Sequence, residues 1–474
     1  MEISKFRDFF INAEQDNVGL ISVPGQSFGV DIHYTEAPIE DYLSKSVETI
    51  LKIHQEEGPG DILVFLTGKE DIDAVWQMIS DKVDETYSKN GDLRVLPLHG
   101  GLPPEEQLKV FSLDNKGRNV ILSTNIAEAS VTIPGIVYVI DSGFVKLKYY
   151  NPVNSMESLI IAPISQASAD QRAGRAGRIT NGKAYRLYTF EGFLSLSKQS
   201  IPEMQRSDLS TVILQLKSIG IENVLYFDFL SPPSAELMTR ALELLYSLNA
   251  LDDYARLTIP FGMQIADFPL DPLLSTCLLN SGTFACAEEM VTIAAMLSVQ
   301  NIFTGSNRAA DTEKNKFATE EGDHITYFNV YQGFIKSKKS SQWCNSHYLN
   351  YQSLIRAVSI RTQLMKHLQR LGIEIKSCGV DTSRLLKCLV TGCFPHAAQL
   401  LPDGSYVSLR DRLPLFTHPN SVLFKRSPQY VVYHEVVETS KAYMRDVSVI
   451  EARWLTDLAP HYYKVVKPIK RSQD

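Results

Sequence analysis

Between residues 28 and 188, short apolar runs alternate with amphipathic stretches, and that alternation leaves few folds open. The clearest run is Asp61-Ile62-Leu63-Val64-Phe65-Leu66, bounded by Glu56-Glu57-Gly58-Pro59-Gly60 and by Thr67-Gly68-Lys69-Glu70. A strand so uniformly apolar needs cover on both faces, as in a parallel sheet flanked by helices. Leu93 to Leu98, Asn119 to Ser123, Ile136 to Asp141 and Lys183 to Tyr188 read as further strands, and residues 28–35 alternate as another. Between Ile39 and Gln55 the apolar positions Tyr42, Leu43, Val47, Ile50 and Leu51 recur at helical spacing, with His54 on the same face. Ile72 to Ser80 begins a second helix. Pro103 to Phe111 opens on Pro-Pro-Glu-Glu, a combination suited to a helix N-terminus. The expected fold is an α/β domain with a parallel, doubly wound sheet. Ligands of such sheets bind outside the C-terminal strand ends, where Gly68, Lys69, Thr124 and Asn125 fall.

A chain of 474 residues has room for about three or four domains. With 44% apolar and 21% charged residues it can build several cores. A net charge of −7 argues against a uniformly basic nucleic-acid binder but leaves a local basic channel open. The six cysteines form no Cys-x-x-Cys pair, so reduced thiols are expected rather than zinc or a disulfide framework. No run of 18 apolar residues suggests a membrane span, and the first ten residues lack the apolar core of a signal peptide.

Two stretches carry chemistry. Gln171-Arg172-Ala173-Gly174-Arg175-Ala176-Gly177-Arg178 repeats arginine every third residue. On a helix the three arginines would cover roughly a third of the circumference. Each glycine would cost about 1 kcal/mol in a helix interior, which points to close approach by a ligand or a second domain. Arginine forks match phosphate oxygens, and in phosphoryl transfer such a group stabilises charge on the transferring phosphate. The second stretch, Thr124-Asn125-Ile126-Ala127-Glu128-Ala129-Ser130-Val131-Thr132-Ile133, follows a strand and offers small hydroxyl and amide groups to a nucleotide or an RNA backbone.

The octet resembles motif VI of superfamily 2 helicases in the form used by DEAH-box RNA helicases, and the second stretch resembles their motif V. The resemblance runs over essentially the whole chain, from Lys5-Phe6-Arg7-Asp8-Phe9-Phe10 to the Tyr443-to-Leu455 stretch, and is strongest to the helicase-35 subgroup. It implies ATP hydrolysis with magnesium and single-stranded RNA as partner. It also implies a pre-mRNA splicing role, a nuclear location, spliceosomal proteins and a glycine-rich-patch activator as further partners, and a monomer. Gln171 would orient the attacking water, and Arg175 and Arg178 would be arginine fingers, with Arg172 structural. Phe111, Ser130 and Thr132 would lie at the nucleotide. Gly68, Lys69, Thr124 and Asn125 would touch RNA. Ala129 departs from the usual threonine of motif V, and Pro134 stands where some relatives carry a ribose-binding aspartate.

The implied order is a remnant of a first RecA-like domain at 1–24, a second RecA-like domain at 25–195, a winged helix at 196–266, a helicase-associated helical, ratchet-like domain at 267–380, and an OB-fold barrel with a tail at 381–474. Residues 1–24 read as a helix from Ser4 to Ala13 and a strand from Gly19 to Val23. The winged helix is expected from two amphipathic helices, one on Leu209, Val212, Ile213, Leu216 and Ile219 and one on Leu237, Ala241, Leu244, Leu245 and Leu248. A hairpin of Ala255 to Ile259 with Met263 to Ile265 would complete it. Thr304 to Lys316 reads as a loop. Barrel strands are expected at Cys388 to Phe394, Ser405 to Leu409, Val422 to Phe424, Tyr430 to Val437 and Ala442 to Ile450. Tyr430, Tyr433, Tyr443, Lys441 and Arg445 are either an RNA path or barrel core and cross-strand pairs.

A P-loop needs Gly-x4-Gly-Lys-Ser/Thr. Here Gly68-Lys69 precedes Glu70 and Gly182-Lys183 precedes Ala184, and no Asp-Glu-x-His or Ser-Ala-Thr occurs. The phosphate cradle and the magnesium ligands would belong to the first RecA-like domain, with Met1 standing near where that domain should end. The chain is therefore expected to be the C-terminal part of a helicase, inactive alone. The alternatives are a non-catalytic isoform that binds RNA or a partner, and an unrelated NTP-binding α/β protein.

Overall fold

The computed structural model describes residues 3–11, 19–21, 28–85, 93–102, 104–111, 117–129, 132–154, 156–299, 301–305, 308–438 and 441–464. The chain divides into two compact units: residues 1–147 with 160–202, and residues 148–159 with 203–474.

The first unit is built on a six-stranded sheet of β1 (Val30–Tyr34), β2 (Asp61–Phe65), β3 (Leu93–Leu98), β4 (Arg118–Ser123), β5 (Ile136–Asp141) and, after the hairpin β6 (Phe144–Asn151) and β7 (Met156–Pro163), β8 (Gly182–Arg186). The order is β1-β8-β5-β2-β4-β3, and every pairing is parallel. Alternate side chains of β2 serve opposite layers. Ile62 and Val64 pack with Val47, Ile50, Ile53, Ile72 and Val75 of the helices Tyr42–Glu56 and Lys69–Glu85. Leu63 and Phe65 pack with Val110, Ala127, Ala173 and Ala176 on the other face. Each fully buried aliphatic side chain contributes roughly 1.5–3 kcal/mol, which is why these positions allow no polar substitution. The Tyr42–Glu56 helix starts where Asp41 accepts from the amides of Leu43 (2.9 Å) and Ser44 (3.3 Å).

In the second unit the helices Ser210–Ser218 and Ala235–Ser247 share a core with Leu251 and Ile265. Only an isolated Leu251–Leu257 bridge stands where the first strand of the hairpin was expected, and Phe261–Asp267 is helical rather than the second. Six helices, Pro272–Asn280, Ala287–Leu297, Arg308–Asn315, Asp323–Lys336, Ser341–Ser346 and Tyr351–Arg370, build the helical region, so the expected loop at 304–316 is largely helix. Gly392 lets the helix Thr382–Cys393 approach Pro272–Asn280: a Cβ there would lie 2.1 Å from the Leu273 carbonyl oxygen. That helix occupies the place of the first expected barrel strand. Its Cys388-Leu389-Val390 run is apolar because it is buried on all sides, not because it alternates.

The barrel strands are β9 (Ala397–Leu400), β10 (Tyr406–Ser408), β11 (Pro414–Thr417), β12 (Tyr430–Glu438) and β13 (Ala442–Val449). Pairing runs β13-β11-β10-β9-β12 and returns to β13, closing five strands. Pro414–Thr417 supplies the strand expected at 422–424, which is a turn instead. Val437 and Glu438 of β12 also pair in parallel with Glu157 and Ser158 of β7. Tyr150 and Met156 of the same hairpin enter the winged-helix and barrel cores. At the N-terminus Ile3–Ile11 is a helix and residues 19–21 form no strand, while the rest of the expected 19–23 strand lies outside the described residues.

Candidate nucleotide and RNA site

The arginine octet does not lie on one helix face. The helix Gln166–Ala173, capped by Ser165 accepting from the Ser168 amide (3.1 Å), ends at Gly174. Tight turns follow, with the Arg175 amide donating to Arg172 O (3.1 Å) and the Ala176 amide to Ala173 O (3.0 Å). This break separates the three arginines. Arg172 is fully buried: Nη1 donates to Asp141 Oδ1 (2.7 Å), Nε to Glu128 Oε2 (3.2 Å), and both Nη atoms to Phe144 O (3.2 Å). Its guanidinium also lies 4.8 Å over the Phe65 ring. Burial works against the charge, but Asp141 and Glu128 more than offset it and raise the Arg172 pKa.

Arg175 is half-buried and donates to the Glu128 carbonyl; burial and neighbouring Arg178 lower its pKa. Arg178 is exposed and donates to the Thr132 hydroxyl. Gln171 is exposed on the last turn of the helix. The structure thus joins Arg178 to Thr132 and Arg175 to the motif V segment. Ser130 lies outside the described residues. Phe111 ends the turn Lys109–Phe111, 38% exposed, beyond the buried Val110.

Gly177 serves the fold rather than a visitor. A Cβ on Gly177 would sit 2.6 Å from Phe28 O and 2.7 Å from Val30 Cγ2, so the chain's own first strand occupies the space read as room for a ligand or a second domain. The Phe28 amide donates to Gly177 O at 2.9 Å.

Gly68, Lys69, Thr124 and Asn125 gather at the C-terminal ends of the adjacent strands β2 and β4. The Leu66 amide donates to Ser123 O (2.8 Å) and the Thr124 amide to Leu98 O (3.2 Å), tying the β2, β3 and β4 ends together. Lys69 and Asn125 are exposed and Gly68 is buried. Thr67 Oγ1 donates to Asp71 (2.5 Å), which also accepts from Tyr42 (2.7 Å), fixing the turn that presents Lys69. Burial, then the charge of Lys69, lowers the His99 pKa at the β3 end.

Glu128 and Asp141 were missed from sequence. Glu128 accepts from Ser168 and Arg172 through its carboxylate and from Arg175 through its carbonyl. Asp141 also accepts from the Gly143 amide (3.0 Å) and Tyr188 hydroxyl (2.9 Å). The available signal was a carboxylate closing an otherwise apolar strand, since a buried charge requires a partner. In the barrel, Tyr433 is buried at 5% exposure, Lys441 rides 4.3 Å over Phe416, and Arg445 pairs with Glu435 at 3.0 Å.

The donor set of Gln171, Arg175, Arg178 and Thr132 suits phosphate oxygens. The two guanidinium groups are cationic and offer no acceptor, so this set does not suit magnesium. His324 is buried with Nδ1 2.8 Å from Ser448 Oγ.

Residues 45–180 match the helicase conserved C-terminal domain, 241–270 the winged-helix and 271–327 the ratchet-like helicase-associated domains, and 385–462 an oligonucleotide/oligosaccharide-binding fold. A RecA-like sheet followed by these modules, with its arginine motif at the strand ends, is the C-terminal architecture of DEAH-box helicases, and the chain belongs to that family. Within it, the chain is similar to the "Probable ATP-dependent RNA helicase DHX35" of Pongo abelii (50% identical, 98% of this chain, 66% of the relative) and of Homo sapiens (49%, 98% and 68%). The Caenorhabditis elegans "Probable ATP-dependent RNA helicase DHX35 homolog" is 44% identical over 98% of this chain and 65% of its own length. The chain therefore spans about two thirds of the length of these relatives. No helix among the described residues is long and apolar enough to cross a membrane.

Proposed function

We propose that this chain contributes the arginine side of an ATP site and a grip on single-stranded RNA to an ATP-dependent RNA helicase motor, and that these 474 residues turn over no ATP alone. The observation that carries the reading is the separation within the octet: Arg172 is locked inside, while Arg175 and Arg178 are held outward by Glu128 and Thr132 beside exposed Gln171. Arginines so placed stabilise charge on a transferring phosphoryl group, an effect on the order of 10³–10⁵ in rate. Gln171 would orient the attacking water. Phe111, Ser130 and Thr132 would contact the nucleotide, whose magnesium would be held by another RecA-like domain. Lys69 and Asn125, with Gly68 and Thr124, would contact the RNA backbone, a mode that favours affinity over sequence choice. A nuclear, splicing-linked role with a glycine-rich-patch activator follows from the same reading.

The test is RNA-stimulated ATP hydrolysis by the purified chain, alone and with a P-loop-bearing RecA-like domain of a relative added. No turnover alone, measurable single-strand binding, and Arg175-dependent turnover on addition support the reading. Turnover by the chain alone that Arg175→Ala abolishes would overturn the claim that it needs a second domain.

A further inference from the structure

Within the second unit, a cavity of about 330 Å³ opens where the β6–β7 hairpin, the winged-helix helices and one end of the barrel meet. It plays no part in the site at the β2 and β4 strand ends. Its charges are unevenly paired. Glu157 is matched by Lys148 (3.0 Å), Asp411 by Arg240 (3.1 Å) and Glu435 by Arg445 (3.0 Å). Asp208 and Asp271 have no cation within ion-pair distance among the described residues. Asp208 accepts from the Ser210 amide (3.3 Å) and hydroxyl, and Asp271 caps the Leu274 amide (3.0 Å). Burial pushes the Asp208 carboxyl above its usual range against the Ser210 hydrogen bonds, and the nearby charges of Glu157 and Asp271 push the same way.

The lining carries a second, independent feature. Tyr433 is 95% buried, lines the cavity, and its hydroxyl has no hydrogen-bond partner among the described residues. Its ring stacks on His396 at 5.2 Å and 5°. His396 Nδ1 faces the His434 carbonyl at 2.9 Å and so donates to it, which leaves Nε2 as an acceptor. Burial depresses the His396 pKa to about 4, so the ring is neutral at pH 7. Five carboxylates of the lining, Glu157, Asp208, Asp271, Asp411 and Glu435, outnumber its three cations, Lys148, Arg240 and Arg410, and Leu244, Leu273 and Leu415 supply apolar wall.

We propose that this cavity binds a short aliphatic di- or polyamine, its ammonium groups on Asp208 and Asp271 and on the His396–Tyr433 pair, and its methylenes along the leucines. An ammonium carries only donors, which complements the surplus of carboxylates, and a partly desolvated carboxylate without a counter-charge gains from one.

The experiment is calorimetric titration of the full 474-residue chain with spermidine at neutral pH and moderate salt, beside an uncharged aliphatic diol of similar length. One saturable site is expected for spermidine and none for the diol. Asp208→Asn and Asp271→Asn should each weaken binding about tenfold, as for loss of a charged hydrogen bond, and Tyr433→Phe severalfold. Thermal melts identify any variant that fails to fold, and the remaining variants then decide. Heat without saturation, equal binding of the diol, or affinity unchanged in the folded variants would overturn the proposal, since an amine merely attracted to the acidic surface would not sense Tyr433.

Discussion

Arg172 Nη1 lies 2.7 Å from Asp141 Oδ1, with both side chains sealed from solvent, so a helix outside the sheet is pinned to the last residue of a central strand by a buried ion pair. Glu128 joins from the segment after β4, and three pieces of chain converge on one guanidinium. Arg172→Ala should therefore destabilise the first unit by roughly 3–5 kcal/mol, because it strands buried carboxylates. Urea unfolding followed by a probe in that unit measures it. Arg172→Lys should recover little, since an ammonium cannot span Glu128, Asp141 and the Phe144 carbonyl with one planar fork.

Arg178→Ala should leave stability within about 1 kcal/mol of wild type, because the side chain is exposed and its hydrogen bond goes to the hydroxyl of exposed Thr132. The same substitution should cut complemented, RNA-stimulated ATP turnover by about 10³ or more. Equal losses of stability in the Arg172 and Arg178 variants would contradict the division of labour proposed for the octet.

Gly177→Ala should cost about 1–3 kcal/mol through overpacking. The added methyl would meet the carbonyl of Phe28, just before β1, and the side chain of Val30, its first residue. A calorimetric melt reads the loss, and hydrogen exchange should show faster opening of β1 than of β4.

The second unit should weaken as pH falls below 6.5. Burial, aided by the charge of His434, depresses the His324 pKa to about 3, and burial depresses that of His396 to about 4. The unfolded chain then binds more protons than the folded one between these values and 6.5, so stability present above 6.5 is lost on acidification by up to about 1.4 kcal/mol per pH unit for each group. Asp323, whose pKa is raised by burial, contributes with the opposite sign. Urea midpoints at pH 7 and pH 5 test this, and His324→Gln should flatten the slope.

Much of the sheet was legible because β2, β4 and β5 are buried on both faces and so read as apolar runs between capped helices. The strand order was not legible, since nothing local says that β5 sits beside β2. The hairpin β6–β7 escaped notice because Leu159, Ile160 and Ile161 are exposed in succession and break the alternation that marks a strand. Cys388-Leu389-Val390 was misread because three successive buried residues hide the polar stripe of Arg384, Lys387 and Thr391 that marks the helix. Within the octet, three chemically identical arginines have different fates, and only the helix stop at Gly174 with the carboxylates of Glu128 and Asp141 decides which turns inward.

The pairing of β7 with β12 joins residues some 280 positions apart in the chain. The parallel sheet is complete once Arg186 is made, but the hairpin tip is not. During synthesis its strand edge, with Tyr150 and Met156, stays uncovered until the barrel follows. Such an edge is a site for mispairing between nascent chains, so the yield of native protein should depend on how promptly the last hundred residues arrive and fold.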